Sequence, residues 1–132
     1  MSGYSGTALA KKLSLKDRQR VWWEGMPRSV ADEIGGQGLQ LQLLRAPEAP
    51  IDAAHLFVTE RAQLETKLHQ LMALLSPSGF IWVSWPKKAS KVPTDITEDA
   101  IRDVCLPMGL VDVKVCAVDE TWSGLKLTKR RT

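Results

Sequence analysis

The sequence predicts an α/β fold: a mostly parallel sheet with flanking helices, closed by a C-terminal antiparallel hairpin. Three observations carry this. Residues 54–58 and 80–85 are short, nearly continuous apolar runs, the pattern of strands buried on both faces. Between them, Leu64, Leu68, Leu71, Met72 and Leu75 fall at i, i+4, i+7, i+8 and i+11, one stripe of a helix over 60–75. Single helices alternating with strands imply right-handed crossovers and a parallel sheet, whereas the last two apolar runs are joined by a Gly-containing turn that suits a hairpin.

Taken in order, residues 1–6 read as a lead-in, and Thr7 is placed to cap a short helix through Leu13. Leu9 and Leu13 share one face of it, with Lys11, Lys12 and Lys16 mostly on the other as a solvated basic face. Residues 20–24, Arg-Val-Trp-Trp-Glu, read as the first strand, stopped by Gly25 and Pro27. Its adjacent tryptophans face opposite sides of the sheet and cannot form one stacking platform. Ser29 is expected to cap a helix built on Val30, Ala31 and Ile34 and ended by Gly35 and Gly36. Residues 39–44 alternate apolar positions with Gln40 and Gln42, a strand with one wetter face.

Pro47 and Pro50 make the following stretch a loop. It is too short for a crossover helix, which leaves the direction of the second strand open. Ser76-Pro77-Ser78-Gly79 reads as the stop of the long helix, and Pro86 to Pro93 as a basic loop after the 80–85 strand. Asp95 and Glu98 have the spacing of a capping pair for a helix that turns Ile101, Val104, Cys105 and Met108 inward. Pro107 and Gly109 end that helix. Residues 111–118 read as a strand, 119–124 as a turn, 125–129 as the closing strand and 130–132 as a basic tail.

A chain of 132 residues is one domain, long enough to bury a core without metals or disulfides. The net charge of +3 is partly a tail effect of Lys126, Lys129, Arg130 and Arg131, so it allows acidic partners without demanding them. Cys105 and Cys116 match no zinc spacing and read as buried thiols of a reducing compartment. With no run resembling a signal peptide or a membrane span, the expected location is cytoplasmic.

Ligands of open α/β sheets bind outside the carboxyl ends of the parallel strands. That rule collects Glu24, Thr59, Lys87 and Lys88 at one edge. If the fifth strand is also parallel, Asp119, Glu120 and Trp122 join them. Lys87 and Lys88 are the phosphate-binding candidates, as compact point charges ahead of a helix start. Trp122 is either a lid for a flat ligand or a plug on the hairpin. His55 and His69 have no nucleophile or metal-ligand partner at a recognisable spacing, so no triad or zinc site is expected.

Two resemblances add to this. The apolar strand at 54–58, the helix ending Leu74-Leu75-Ser76-Pro77-Ser78-Gly79, and the strand, helix and hairpin after it resemble the C-terminal portion of the class I methyltransferase fold, which implies a truncated methyltransferase-like Rossmann sheet. That likeness implies S-adenosylmethionine as a cofactor not to be excluded. Its usual holders are a Gly-rich turn after the first strand and an acidic residue closing the next, where this chain reads Glu24-Gly25-Met26-Pro27-Arg28 and Leu43-Leu44-Arg45. The whole chain also resembles a family of small bacterial proteins catalogued as a domain of unknown function. That likeness rests on Gly3-Tyr4-Ser5-Gly6-Thr7 with Leu9-Ala10-Lys11-Lys12, on Trp85-Pro86-Lys87-Lys88-Ala89-Ser90, and on Asp119-Glu120-Thr121-Trp122-Ser123-Gly124.

A retained scaffold without its cofactor turn leads to the expectation of a non-enzymatic binding or regulatory module with no cofactor. Its partner would be a small phosphorylated ligand or a protein, with no membrane contact. The alternative is a small S-adenosylmethionine-dependent methyltransferase with an unusual cofactor loop and Asp119 or Glu120 as general base. A nucleic-acid binder is the second alternative, disfavoured because no basic stripe shows outside the Lys87 loop and the tail.

Overall fold

Apolar runs that the sequence separates by turns and single helices assemble side by side in the computed structural model, which describes residues 7–131. Gly3 to Gly6, part of one stretch that carries the bacterial-family resemblance, lie outside the described residues. The elements are α1 (Leu9–Lys12), β1 (Arg20–Glu24), α2 (Arg28–Gly35), β2 (Gln42–Leu43), β3 (Ile51–Phe57), α3 (Arg61–Met72), β4 (Leu75–Pro86), α4 (Glu98–Cys105), β5 (Leu110–Ala117) and β6 (Trp122–Lys129). The strands form one six-stranded sheet in the order β2-β1-β3-β4-β6-β5. The first four are mutually parallel, and β6 is antiparallel to both β4 and β5. Since β4 and β5 both oppose β6, β5 points the same way as the parallel set. This is the α/β sheet with a C-terminal hairpin that the sequence predicts.

Side chains alternate between the two faces, and each face has its own core. Leu64, Leu68 and Leu71 of α3 and Ile101, Val104 and Cys105 of α4 pack on Leu56, Ile81, Val83, Leu125 and Leu127. On the other face, Leu9 of α1, Leu13 just after it, and Val30 and Ile34 of α2 cover Val21, Phe57, Phe80 and Trp82. Trp82 is wholly buried, and its indole N–H donates to the Leu13 carbonyl at 2.9 Å, fixing the end of α1 to the sheet.

Several element boundaries differ from expectation. β2 pairs only through Gln42 and Leu43, opposite Arg20 and Val21 near the start of β1, and it runs parallel. Val21 is also level with Ala53 on β3. The chain leaving β2 therefore has almost no height to regain, and a short link suffices where a full-length strand would need a crossover. α3 ends at Met72, and Leu75 already belongs to β4. Residues 76–79 are an irregularity inside that strand, because Ile51 pairs with Leu75 and Ala53 with Phe80. Gly79 permits it: a Cβ there would lie 2.8 Å from the Ile51 carbonyl oxygen and 2.9 Å from the Leu75 side chain. Trp122 begins β6 and is not part of the turn.

Capping also departs from the sequence pattern. Ala8 and Pro27, not Thr7 and Ser29, precede α1 and α2, and neither makes a side-chain cap. Asp95 does not cap its own helix. Its Oδ1 accepts the Arg61 N–H at 2.7 Å, so it caps α3 across space. Thr97 caps α4, with Oγ1 accepting the Ala100 N–H at 3.0 Å, and Glu98 turns instead to Arg102. Arg102 also holds Asp99 and Asp112, which ties α4 to β5 and keeps the Asp112 carboxyl below the usual range. Thr97→Ala is expected to cost about 1 kcal/mol in a urea denaturation, the usual loss of one helix cap.

Among the described residues both cysteines are free. Cys105 is buried, which pushes its thiol up to about 11, and Cys116 is half-buried on the hairpin. No helix of the described residues is long and apolar enough to cross a membrane.

Candidate active site at the carboxyl edge of the sheet

All seven residues expected at the ligand edge do end up at the carboxyl ends of the parallel strands, because β5 is co-directional with β4 and delivers Asp119 and Glu120 there. They do not converge on one point. Glu24 turns to the α3 face, where Oε2 lies 2.6 Å from Lys67 Nζ and Oε1 accepts the Trp22 indole N–H at 3.2 Å. The Thr59 carbonyl accepts the Thr94 hydroxyl at 2.6 Å, which anchors the loop ahead of α4. Lys88 is exposed at the start of the 3₁₀ turn Lys88–Ser90.

Lys87 binds the chain itself. Its ammonium donates to the Asp119 carbonyl at 2.7 Å, and its backbone N–H donates to the Thr121 carbonyl at 2.8 Å. Asp119 shapes the hairpin turn, with Oδ1 accepting the N–H groups of Thr121 and Trp122, each at 2.8 Å. Trp122 is half-buried and meets the Phe57 ring edge-on, with centroids 5.1 Å apart at 78°. Its position is that of a plug.

The turn built by Lys87 and Asp119 faces α2, and between them lies a crevice of about 240 Å³ lined by Ser29, Val30, Glu33, Asp119, Glu120 and Thr121. Three of its six lining residues are acidic and two carry hydroxyls, so it favours a cationic ligand with hydrogen-bonding groups. Ser29, Glu33 and Thr121 were not among the expected site residues. Nothing local marks them, because the crevice exists only where α2 meets a turn from the far end of the chain.

Behind this edge lies a pair that the sequence reading missed. His55 Nε2 and Ser84 Oγ are 2.6 Å apart, both buried, on adjacent strands β3 and β4. The imidazole stacks on Phe57 at 4.4 Å, and burial pushes its pKa down to about 3. His55 is thus neutral at physiological pH, joined to a hydroxyl and sealed from solvent. The available signal was a histidine and a serine each interrupting an otherwise apolar strand. Among the described residues no cluster of His, Cys, Asp and Glu could hold a metal ion.

No family model matches the chain, so the likeness to the small bacterial family gains no support. No curated protein matches its sequence. Solved structures do match its fold. A SAM dependent methyltransferase from Aquifex aeolicus aligns with a TM-score of 0.60 at 14% identity, over 90% of this chain and 86% of that one. A ribosomal-protein methylase from Lactobacillus delbrueckii subsp. bulgaricus gives 0.60 at 11% identity, over 93% of this chain and 77% of that one. The magnesium protoporphyrin IX methyltransferase of Synechocystis PCC 6803, with bound SAM, gives 0.59 at 10% identity, over 93% and 74%. Against a longer chain, LepI in complex with SAM, the match spans 39% of that chain's length. The fold is therefore the methyltransferase-like Rossmann fold.

These findings correct the expectation of a non-enzymatic module. That expectation takes the scaffold as a remnant, whereas the structures that share it are repeatedly those of methyltransferases, one of them SAM dependent and another with bound SAM. The expectation of no cofactor loses its basis with it.

Two usual holders of that donor are nonetheless missing. The turn after β1 has a single glycine, Gly25, at φ +71, and a Cβ there would lie 2.9 Å from the Phe57 carbonyl oxygen. This glycine makes room for the chain's own backbone. The second strand closes on Leu43, Leu44 and Arg45, with no carboxylate for ribose hydroxyls. The donor set present is the crevice instead. Its carboxylates suit the sulfonium and ammonium charges of S-adenosylmethionine and its hydroxyls can donate to the carboxylate beside them, while its volume suits the amino-acid end of that molecule, being below the roughly 300–1,000 Å³ of pockets that enclose a whole ligand.

Proposed function

We propose that the chain is a small methyltransferase that binds an S-adenosylmethionine-type donor by its cationic end, in the crevice between α2 and the Asp119–Thr121 turn. The observation that carries this reading is that crevice, acidic and hydroxyl-lined, at the carboxyl edge of a methyltransferase-like sheet. When bound, the donor supplies a methyl group made electrophilic by the adjacent sulfonium. The protein supplies charge and position. Glu33 and Glu120 offer carboxylates to the cationic end, and Ser29 and Thr121 offer hydroxyls. Asp119 keeps the turn in place, since its Oδ1 already accepts two backbone N–H groups. That leaves Glu33 and Glu120, both exposed, as the carboxylates able to take a proton from an acceptor nucleophile.

Thermal unfolding with added ligand tests this. At about 100 times its dissociation constant, S-adenosylmethionine should stabilise the protein by about 2.7 kcal/mol. S-adenosylhomocysteine, which lacks the sulfonium charge, should bind more weakly, and Glu33→Gln/Glu120→Gln should erase that preference. Absence of any shift with either compound overturns the reading.

A further inference from the structure

On the α1 side of the C-terminal hairpin the fold gathers positive charge that no carboxylate of the described residues neutralises. Lys114 on β5 lies directly opposite Lys126 on β6, and Lys126 is in turn opposite Trp82 on β4, so all three share one face. Like charges directly opposed across a ladder are destabilising. The Lys126 ammonium is drawn inward, donating to Ser14 Oγ at 3.0 Å and sitting 4.4 Å from the Phe80 ring centroid, while Lys114 lies 5.9 Å from that of Trp82. Partial burial, Lys114 and Lys16 all push the Lys126 pKa down. Among the described residues, no carboxylate comes within ion-pair distance of Lys16, Lys114 or Lys126.

Ser14 also lines a neighbouring groove of about 330 Å³. Its lining is mostly apolar, from Ala8, Ala10, Leu15 and Leu39, with Lys11, Lys16 and Gln37 as its other polar members. Charge and groove thus adjoin through one hydroxyl. Phe80 and Trp82 are themselves buried, so neither presents a free face for stacking along a strand of bases. The arrangement suits one compact anion attached to a largely apolar body.

We propose that this face is a second ligand site for an organic phosphate of nucleotide size, with the phosphate on Lys126, Lys114 and Lys16 and the apolar body in the groove beside Ser14. It shares no residue with the crevice at the carboxyl edge and does not depend on methyl transfer. A bound phosphate offsets the opposed lysine charges, and the groove lies in the range of small-ligand pockets.

Calorimetric titration with ATP, with adenosine as the uncharged control, tests it. The wild type should bind ATP and not adenosine at comparable concentration. Lys114→Gln/Lys126→Gln should weaken ATP by about tenfold or more, as expected for two lost charge-assisted contacts. The same variant should leave an S-adenosylmethionine titration unchanged, which separates this site from the crevice. Relief of the opposed charges should hold or raise its melting temperature. Lys114→Gln alone, at an exposed position, provides the test if the double variant is poorly folded. Equal ATP affinity in wild type and variant overturns the proposal, as does equal binding of adenosine. Tighter binding of a short single-stranded oligonucleotide than of ATP, with a steep fall in salt, also overturns it in favour of a nucleic-acid backbone.

Discussion

Lowering the pH from about 7 to about 4 should remove roughly 3 kcal/mol of folding stability through His55 alone. In the unfolded chain this imidazole titrates at its ordinary 6.5, whereas in the folded protein burial holds it down to about 3. Below 6.5 the unfolded state binds a proton that the folded state refuses. Stability is therefore fully present above that pH and is lost steadily as pH falls towards the folded value. The slope is about 1.4 kcal/mol per pH unit, large against a typical total of about 5–15 kcal/mol. Urea denaturation across this range should show it. In His55→Gln, which can still reach the Ser84 hydroxyl but does not titrate, the slope between about pH 6.5 and pH 4.5 should flatten. An unchanged slope in that variant, or a His55 imidazole NMR signal that titrates near 6 in the folded protein, contradicts the assignment.

Gly25→Ala should cost about 2–5 kcal/mol, from a left-handed backbone penalty of about 1–2 and a packing penalty of about 1–3. The residue has φ +71, and a Cβ would stand 2.9 Å from the Phe57 carbonyl oxygen, a backbone atom of the adjacent strand that cannot swing away. Gly38 is the control. It too has a positive φ, of +82, but a Cβ there meets nothing within 4 Å, so Gly38→Ala should show the backbone penalty alone. Equal losses in the two variants would mean that the turn after β1 moves freely off β3. That outcome would remove the reason for treating Gly25 as fixed by the protein's own packing.

Local pattern carried the elements well. The strand at Arg20–Glu24 follows from its aromatic and β-branched residues between turn formers, and the buried stripe Leu64, Leu68 and Leu71 follows from a 3.6-residue period. Both signals are contained within a single element. The failures share the opposite property. Asp95 and Glu98 looked like the two ends of one cap, yet Asp95 serves the first turn of α3, a partner defined only by folding. Residues 76–79 looked like a helix stop, yet Ile51 and Gly79 approach closely enough to keep them inside β4.

The candidate site divides in the same way. The rule of the carboxyl edge located Glu24, Thr59, Lys87, Lys88, Asp119, Glu120 and Trp122 by strand order alone. It could not tell that Glu24 is held by Lys67, or that Asp119 and Lys87 are engaged in building a turn, because those partners are brought near by crossovers. Nor could it pair Glu33 with Glu120, or Lys114 with Lys126 and Ser14.

By itself, then, the sequence determined the fold class and which residues stand at the carboxyl ends of the parallel strands, since hydrophobic period and turn chemistry act over a few residues. The tertiary structure alone decided which side chains meet at that edge and which are consumed by packing. Hydrogen bonds and charge pairs act over a few ångströms in space, and no spacing along the chain encodes that distance.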